Sequence, residues 1–214
     1  AGPTIENIDP IRFVSNKSSG KQGFAIASEL TRRGAKVTLI TGPVNIPFPN
    51  CESVIKVTTA QEMFDSVTQG LPTDVLICSA AVADWKFIPK TSSNKKIDIN
   101  NKIKKDNKNL LFETKQNPDI LGTIAKSNLR PKIVIGFSAE TNNIKKNAHS
   151  KLISKNVDLI IANDVSNDKV FGGDFNKVCL IDKNNCEEWE KQSKNSVAFN
   201  LANKINDLLT NFNQ

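Results

Sequence analysis

The chain has 214 residues, of which 29 are lysine or arginine and 22 are aspartate or glutamate, giving a formal net charge of +7. Its longest apolar runs, such as 75–82, have about eight residues, whereas a membrane-spanning helix needs roughly 20. The basic residues are 25 lysines and only four arginines, beside 26 asparagines. Such a composition is typical of a genome rich in A and T, and the scarcity of arginine argues against a protein that reads DNA bases.

Helical patterns alternate along the chain with apolar runs of strand length. Helices are predicted at 20–33, 60–69, 118–126, 142–156 and 196–212. Strands are predicted at 35–41, 54–57, 75–81, 132–138, 159–162 and 178–181. This alternation predicts a doubly wound, mainly parallel, Rossmann-like α/β sheet with helices on both faces, in a single domain 1–214.

The segment 89–115 interrupts the alternation. It is crowded with lysine and asparagine and holds short alternating pieces at 96–99 and 110–114. The segment could be disordered, or it could form a two-stranded arm outside the main sheet; such a long insertion is usually functional or mobile. On a strand, Lys102 and Lys104 would share one face, from which they could reach a phosphorylated substrate.

The four cysteines are irregularly spaced and form no C-x-x-C pair, so they indicate neither a zinc site nor a redox motif. Cys78 and Cys179 lie in apolar, strand-like runs, where a free thiol behaves as a small hydrophobic residue. This pattern, with no visible secretion signal, predicts a cytoplasmic location. His149 lies among lysines in a polar helical stretch and is expected to be exposed.

Ligands of open α/β sheets bind at the carboxyl ends of the strands. Loop 15–23, rich in serine and glycine, leads into the first helix, whose free amide groups suit phosphate. It matches neither the P-loop nor the three-glycine dinucleotide pattern. In loop 78–85, small residues leave room for a ligand, and Asp84 could accept from hydroxyl groups or merely cap a helix. Phe137, at another strand end, could stack on a base or belong to the core.

Lys151 and Lys155 are one turn apart on one face of a predicted helix. Like charges at this spacing repel each other unless an anion lies between them or water screens them. The pair could bind a polyphosphate, although a solvated helix face is the commoner explanation.

In their residues and in their order along the chain, these motifs resemble those of the phosphopantothenoylcysteine synthetase family. This family is the second half of the bifunctional coenzyme A biosynthesis flavoprotein of bacteria. The similar stretches cover nearly the whole chain and are 1–4, 9–16, 18–21, 23–25, 80–84, 102–105, 117–120, 136–141 and 162–166. Ser138 stands where the family more often has alanine. Family members also carry a short apolar strand before the first motif, so the resemblance implies that the first strand is missing and that the chain is an excised segment or one side of a split gene.

The resemblance implies a ligase that joins 4'-phosphopantothenate to L-cysteine, with CTP as co-substrate and Mg²⁺ or Mn²⁺ as the divalent ion. The substrate carboxylate would attack the α-phosphate to give an acyl-cytidylate and pyrophosphate, and the amine of cysteine would then displace CMP. Lysines and the ion, held mainly by the nucleotide phosphates, would neutralise the charge that develops. FMN would belong only to an upstream decarboxylase domain, covalently linked or separate.

Site residues follow from the resemblance by position. Nucleotide contacts are implied for Gly2, Ser18, Gly20, Gly23, Ser79, Ala80, Asp84, Lys102, Phe137, Lys151 and Lys155. Phosphopantothenate contacts are implied for Asn16, Ala80, Ala81 and Asp84, together with Arg12 of the partner subunit. Asn16 would orient the acyl-cytidylate, and Lys102 would stabilise charge during activation. The active unit would be a homodimer, with 89–115 as its arm and lid.

Two other functions remain as alternatives. A nicotinamide-dependent reductase is disfavoured by the missing three-glycine pattern and by the absence of tyrosine. A basic nucleic-acid-binding module would depend on charge alone. We expect neither a nucleic acid nor a membrane as partner.

Overall fold

The computed structural model describes residues 1–105, 109–165 and 172–212, and these ranges contain 11 strands and five helices. The strands are β1 (Ile5–Asn7), β2 (Phe13–Ser15), β3 (Thr38–Thr41), β4 (Ser53–Lys56), β5 (Val75–Cys78), β6 (Trp85–Lys90), β7 (Leu111–Gln116), β8 (Ile133–Glu140), β9 (Leu159–Asp164), β10 (Phe175–Ile181) and β11 (Cys186–Ser193). The helices are α1 (Lys21–Arg32), α2 (Ala60–Gln69), α3 (Ile120–Ala125), α4 (Ile144–Lys155) and α5 (Lys194–Phe212).

The main sheet has five strands in the order β11-β10-β9-β8-β5. β5, β8 and β9 are parallel, as the alternation of strands and helices predicts, because α3 and α4 provide the crossovers. β10 and β11 are antiparallel, which the sequence pattern did not indicate. The connection 165–174 is shorter than the dozen or so residues that a parallel crossover needs.

Helices cover both faces of this sheet, which confirms the α/β class. Ile135 and Ile161 are fully buried against α1 and α5. Val134, the neighbour of Ile135, points to the opposite face and packs with Leu152 of α4. Burying each such side chain stabilises the fold by about 1.5–3 kcal/mol.

Residues 1–4 connect the main sheet to the parallel pair of β3 and β4. The amide of Gly42 donates to the carbonyl oxygen of Ala1 (3.0 Å), and the amide of Ala81 donates to that of Gly2 (2.9 Å). Pro3 and Ala81 form a parallel bridge. The first motif of the chain therefore lies between the carboxyl ends of β3 and β5.

β6 and β7 form an antiparallel pair outside the main sheet, with Trp85 opposite Gln116. Two details of the sequence prediction are wrong. The piece 96–99 is not a strand and makes only a bridge from Lys96 to Lys90. Residues 102–105 are not a strand either, because the amide of Ile103 donates to the Asp9 carboxylate (3.1 Å) and not to a neighbouring strand.

All five predicted helices are confirmed, and each of their ends lies within two residues of the observed end. The pattern missed β1, β2, β6 and β11. β1 and β2 have three residues each, β6 begins before the predicted insertion 89–115, and β11 is a charged edge strand (CEEWEKQS). Edge strands commonly carry charges, which weakens their hydrophobic signal. No helix within the described ranges is long and apolar enough to cross a membrane.

Candidate functional site

The N-terminus of α1 lies beside the end of β5. Gly20 precedes the helix with φ 74°, a left-handed conformation that favours glycine. No side chain in the described part of the chain caps this end, so the first amide groups of α1 are available to an anion. A Cβ atom on Gly23 would lie 2.5 Å from Ser79 Oγ, so glycine is needed where the helix approaches β5.

Asn16 joins the glycine loop to the loop that follows β5. Its Nδ2 donates to the carbonyl oxygens of Ala81 and Val82, each at 3.1 Å. The amide of Ala81 donates in turn to Gly2. The structure thus brings together several of the predicted residues, namely Gly2, Asn16, Gly20, Gly23, Ser79 and Ala81, with Ser18 and Ala80 adjacent to them in the chain.

Asp84 is exposed and precedes β6, so the alternative that it caps a helix is wrong. Its backbone carbonyl accepts from the amide of Asn117 (2.9 Å). Nδ2 of Asn117 donates to the buried Glu6 carboxylate (3.0 Å) and to the carbonyl of Ala83 (2.9 Å). Asn117 was not among the predicted site residues, although it begins one of the family-like stretches.

Lys151 and Lys155 each contact a carboxylate. Lys151 Nζ lies 2.7 Å from Glu140 Oε1, and Lys155 Nζ lies 2.5 Å from Asp119 Oδ2. Asp119 also caps α3 by accepting from the amide of Gly122 (3.1 Å). The repulsion expected from the spacing of the lysines is therefore relieved by two separate acids. Sequence reasoning missed both acids, although each lies in a family-like stretch.

Phe137 and the lysine pair lie on opposite faces of the sheet. Phe137 packs against the buried cluster beneath α1 and α5, as its core alternative predicts, whereas Glu140 lies on the α4 side with Lys151. A single ligand that contacts both Phe137 and the lysine pair would have to extend over the carboxyl edge of the sheet. Ser138, on the α4 side, is 6% exposed, and its hydroxyl has no partner among the described residues.

Arg12 contacts its own chain. Its guanidinium pairs with Asp9, and its Nη2 donates to the carbonyl of Ile103 (2.8 Å). The Asp9 carboxylate is fully buried and also accepts from the amide of Arg12 (2.8 Å). Chiefly because of the Arg12 guanidinium, the pKa of Asp9 lies well below its usual range. These contacts hold the exposed Lys102, next to Ile103, beside the β1–β2 turn.

The residues described here form no group of three or more histidine, cysteine, aspartate or glutamate side chains placed to hold a metal ion. Burial raises the pKa of the Cys78 thiol, at the end of β5, to about 12, so this thiol is neutral at physiological pH. The last family-like stretch is described only through Val165, and Ser166 lies outside the described residues.

Comparison with known proteins identifies the family of this chain. The family described as the DNA/pantothenate metabolism flavoprotein C-terminal domain matches residues 1–209. The coenzyme A biosynthesis bifunctional protein CoaBC of Haemophilus influenzae is 41% identical over 206 residues, which are 96% of this chain and 50% of that protein. CoaBC of Borreliella burgdorferi is 42% identical over 201 residues, 92% of this chain and 49% of that protein.

A crystal structure of the C-terminal domain of CoaBC has a TM-score of 0.79 and 33% sequence identity to this chain. The match covers 99% of this chain and 93% of that domain. The chain therefore spans about half the length of the curated relatives it matches, and nearly all of a domain whose structure is known separately.

Proposed function

The chain belongs to the DNA/pantothenate metabolism flavoprotein C-terminal domain family, and on this premise we propose that it acts in coenzyme A biosynthesis as a phosphopantothenate-cysteine ligase. It would join 4'-phosphopantothenate to L-cysteine. The relatives named for coenzyme A biosynthesis, and the match to their C-terminal domain, support this assignment. A decarboxylase domain that binds FMN would complete the bifunctional protein, linked to this chain or separate from it.

CTP is the proposed co-substrate. A carboxylate oxygen of 4'-phosphopantothenate attacks the α-phosphorus, pyrophosphate leaves, and an acyl-cytidylate forms. The amine nitrogen of cysteine then attacks the acyl carbon, and CMP leaves with the electrons of the broken C–O bond. Both steps need reactants held in line more than they need a protein nucleophile.

The N-terminus of α1 is suited to the phosphates. The amide groups that no side chain caps, and the positive end of the helix dipole, favour an anion at this end. Gly20, Gly23 and Gly2 keep the surface there free of side chains, with Ser18 and Ser79 as hydroxyl donors. Asn16, fixed by two carbonyl groups, is the proposed orienting residue for the acyl-cytidylate, beside Ala80, Ala81 and Asp84.

Lys151, Lys155 and Lys102 are the proposed charge-neutralising residues. Glu140 and Asp119 hold the first two side chains at the carboxyl edge of the sheet, so the lysines are positioned before a triphosphate binds. Lys102 is exposed and would approach the reacting groups with the segment that Asp9 and Arg12 anchor. Phe137 would contact the base only from the α1 side of the sheet.

A divalent cation, Mg²⁺ or Mn²⁺, fits this site as a partner of the nucleotide phosphates. The acids nearest the lysines, Glu140 and Asp119, are already paired, which favours an ion that the substrate brings with it. Such an ion would supply charge neutralisation at the phosphates.

A homodimer formed through the β6–β7 arm is part of the proposal. Trp85, Leu111 and Phe112 on this arm are 44%, 46% and 42% exposed. They lie along the length of the arm and on both of its faces, and apolar side chains left in contact with water commonly mark an interface. In the dimer, Arg12 of the partner subunit would approach phosphopantothenate, and in the single chain it is held by Asp9.

The observation that carries the proposal is the Asn16 bridge, which unites the glycine loop and the β5 loop into one site. The test is pyrophosphate release by the purified chain, measured side by side with CTP and with ATP. We expect release only when phosphopantothenate, CTP and a divalent ion are present together. No release with all three would overturn the proposal, and equal rates with ATP would overturn its choice of CTP.

A further inference from the structure

Two cysteines that the proposed function does not use lie close together on the β10–β11 hairpin. The Sγ atoms of Cys179 and Cys186 are 3.0 Å apart, and both thiols are free. Ile181 is paired with Cys186, and Cys179 is paired with Glu188, so the two cysteines are diagonal neighbours on one face of the hairpin. Cys179 is 6% exposed, whereas Cys186 is exposed to solvent.

A groove of about 390 Å³ lies between α4 and the hairpin turn, and Cys186 is part of its wall. Its charged and titratable lining is mainly cationic and consists of Lys145, Lys146, His149, Asp182 and Lys183. Two of these charges are partly offset: Asp182 accepts from the amides of Asn184 (2.8 Å) and Asn185 (2.7 Å), and Lys145 Nζ pairs with Glu188 Oε1 (2.7 Å). Lys146 and Lys183 keep the groove cationic. The groove therefore favours a small anion beside the exposed thiol.

We propose that Cys186 and Cys179 form a thiol–disulfide exchange site for a small, negatively charged disulfide that binds in this groove. The Cys186 thiolate attacks one sulfur of the small disulfide, whose S–S bond breaks, and one small thiol leaves. The Cys179 thiol gives its proton to water and attacks Cys186 Sγ, so that the second small thiol leaves. Two protein thiols are oxidised and one small disulfide is reduced to two thiols, which balances the exchange.

The geometry allows both steps in this order. Cys186 reacts first because it lines the groove, whereas Cys179 is buried behind it. Burial, and then the contact with Cys186, raise the pKa of the Cys179 thiol. Closing the bond needs the sulfurs to approach by about 1 Å, to roughly 2.05 Å. In the part of the chain that the structure describes, β11 is an edge strand that pairs with β10 alone, so it can move without breaking a second strand pairing.

The test uses the full chain, reduced and then placed in graded mixtures of reduced and oxidised glutathione. We expect a loss of two thiols, with peptide mapping that links Cys179 to Cys186. Cys179→Ser should stop at a single glutathione on Cys186, and Cys186→Ser should keep all its remaining thiols. Cys51→Ser, the matched control, should still form the link.

The charge of the groove has its own test. In the Cys179→Ser background, Lys146→Gln or Lys183→Gln should slow the reaction with oxidised glutathione about threefold, and leave unchanged the reaction with an uncharged disulfide such as hydroxyethyl disulfide. Lys36→Gln, outside the groove, should change neither rate. Absence of the Cys179–Cys186 link in the wild-type chain would overturn the exchange site, and equal effects on both disulfides would overturn the anionic ligand.

Discussion

Asn16 is the residue whose contacts most directly join separate parts of the proposed site. Its amide nitrogen is shared between two carbonyl oxygens, and both hydrogen bonds come from an exposed side chain. Aspartate at this position would have no hydrogen to donate and would place a negative charge beside two carbonyl dipoles. Lys102 differs, because its charge lies on an anchored but exposed segment and no acid within 1–105, 109–165 or 172–212 pairs with its side chain.

The two residues should therefore affect different steps. We expect Lys102→Gln to slow acyl-cytidylate formation about 100-fold, because charge on the transferring phosphorus is less well neutralised. Asn16→Asp should allow the intermediate to form but impair its conversion with cysteine. Rapid quenching of the reaction, followed by quantification of the acyl-cytidylate in each variant, shows which of the two steps is slowed.

The control variants make the same two substitutions, lysine to glutamine and asparagine to aspartate, at positions outside the proposed site. Lys36→Gln and Asn50→Asp change exposed residues outside the site, and both should retain the wild-type rate of pyrophosphate release. Equal levels of the intermediate in the Lys102 and Asn16 variants would contradict the division of roles.

At the scale of elements, the Asp9 carboxylate connects the β1–β2 turn to the segment that carries Lys102. It accepts from the amides of Ile11 (2.9 Å), Arg12 (2.8 Å) and Ile103 (3.1 Å) and pairs with the Arg12 side chain. Only the ionised carboxylate accepts all of these bonds, which explains its lowered pKa. Residues 102–105 are thus held by the Asp9 and Arg12 side chains and not by strand pairing.

Asp9→Asn should release this segment and reduce the dependence of stability on pH. The folded-state pKa of Asp9 lies below the unfolded value of about 3.9, so its contribution is present above that value and is lost as the pH falls below it. The free energy of unfolding of the variant, from urea titrations, should therefore fall less steeply than that of wild type below about pH 5. At neutral pH, trypsin should cleave the variant faster at 102–105.

Glu29→Gln is the control that separates the loss of acid dependence from the release of the segment 102–105. Hydrogen bonds from Arg32, the last residue of α1, and from Arg33, which follows it, lower the pKa of Glu29 to about 2, so this variant should also lose part of its acid dependence. Because Glu29 is on a different element, trypsin cleavage at 102–105 should stay at the wild-type rate. Faster cleavage in this variant would contradict the anchoring role of Asp9.

At the scale of the whole molecule, the β6–β7 arm lies outside the main sheet. Its apolar side chains Trp85, Leu111 and Phe112 are exposed to solvent. Leu111→Lys places a charge among them and should weaken the proposed dimer about tenfold or more. Sedimentation velocity over a range of protein concentrations measures the monomer–dimer equilibrium. A wild-type chain that stays monomeric at every concentration would contradict the proposed dimer.

The matched variant is Leu129→Lys. Leu129 is 54% exposed, comparable with the 46% of Leu111, but it lies between α3 and β8, away from the arm. The dissociation constant of the dimer should be unchanged in this variant. If both substitutions weaken the dimer equally, the interface is not the arm.

The sequence by itself determined the α/β class, most helices and the parallel strands, and the motifs around Asn16, Gly20 and Ala81. Helix and strand periodicities are local properties, so they can be read without knowing the distant contacts. The strand β11 was missed because a charged edge strand carries little of that signal, and periodicity does not show that β10 runs antiparallel to β9.

Only the tertiary structure decided which side chains from distant parts of the chain are in contact. Glu140 and Asp119 as partners of the lysines and Asp9 as the anchor of Ile103 depend on packing between distant parts of the chain. The spacing of Cys179 and Cys186 suggests no redox pair, yet the hairpin places their sulfurs 3.0 Å apart. Sequence patterns specify which face of an element is buried, whereas contacts between side chains are set by how the elements pack and in which register.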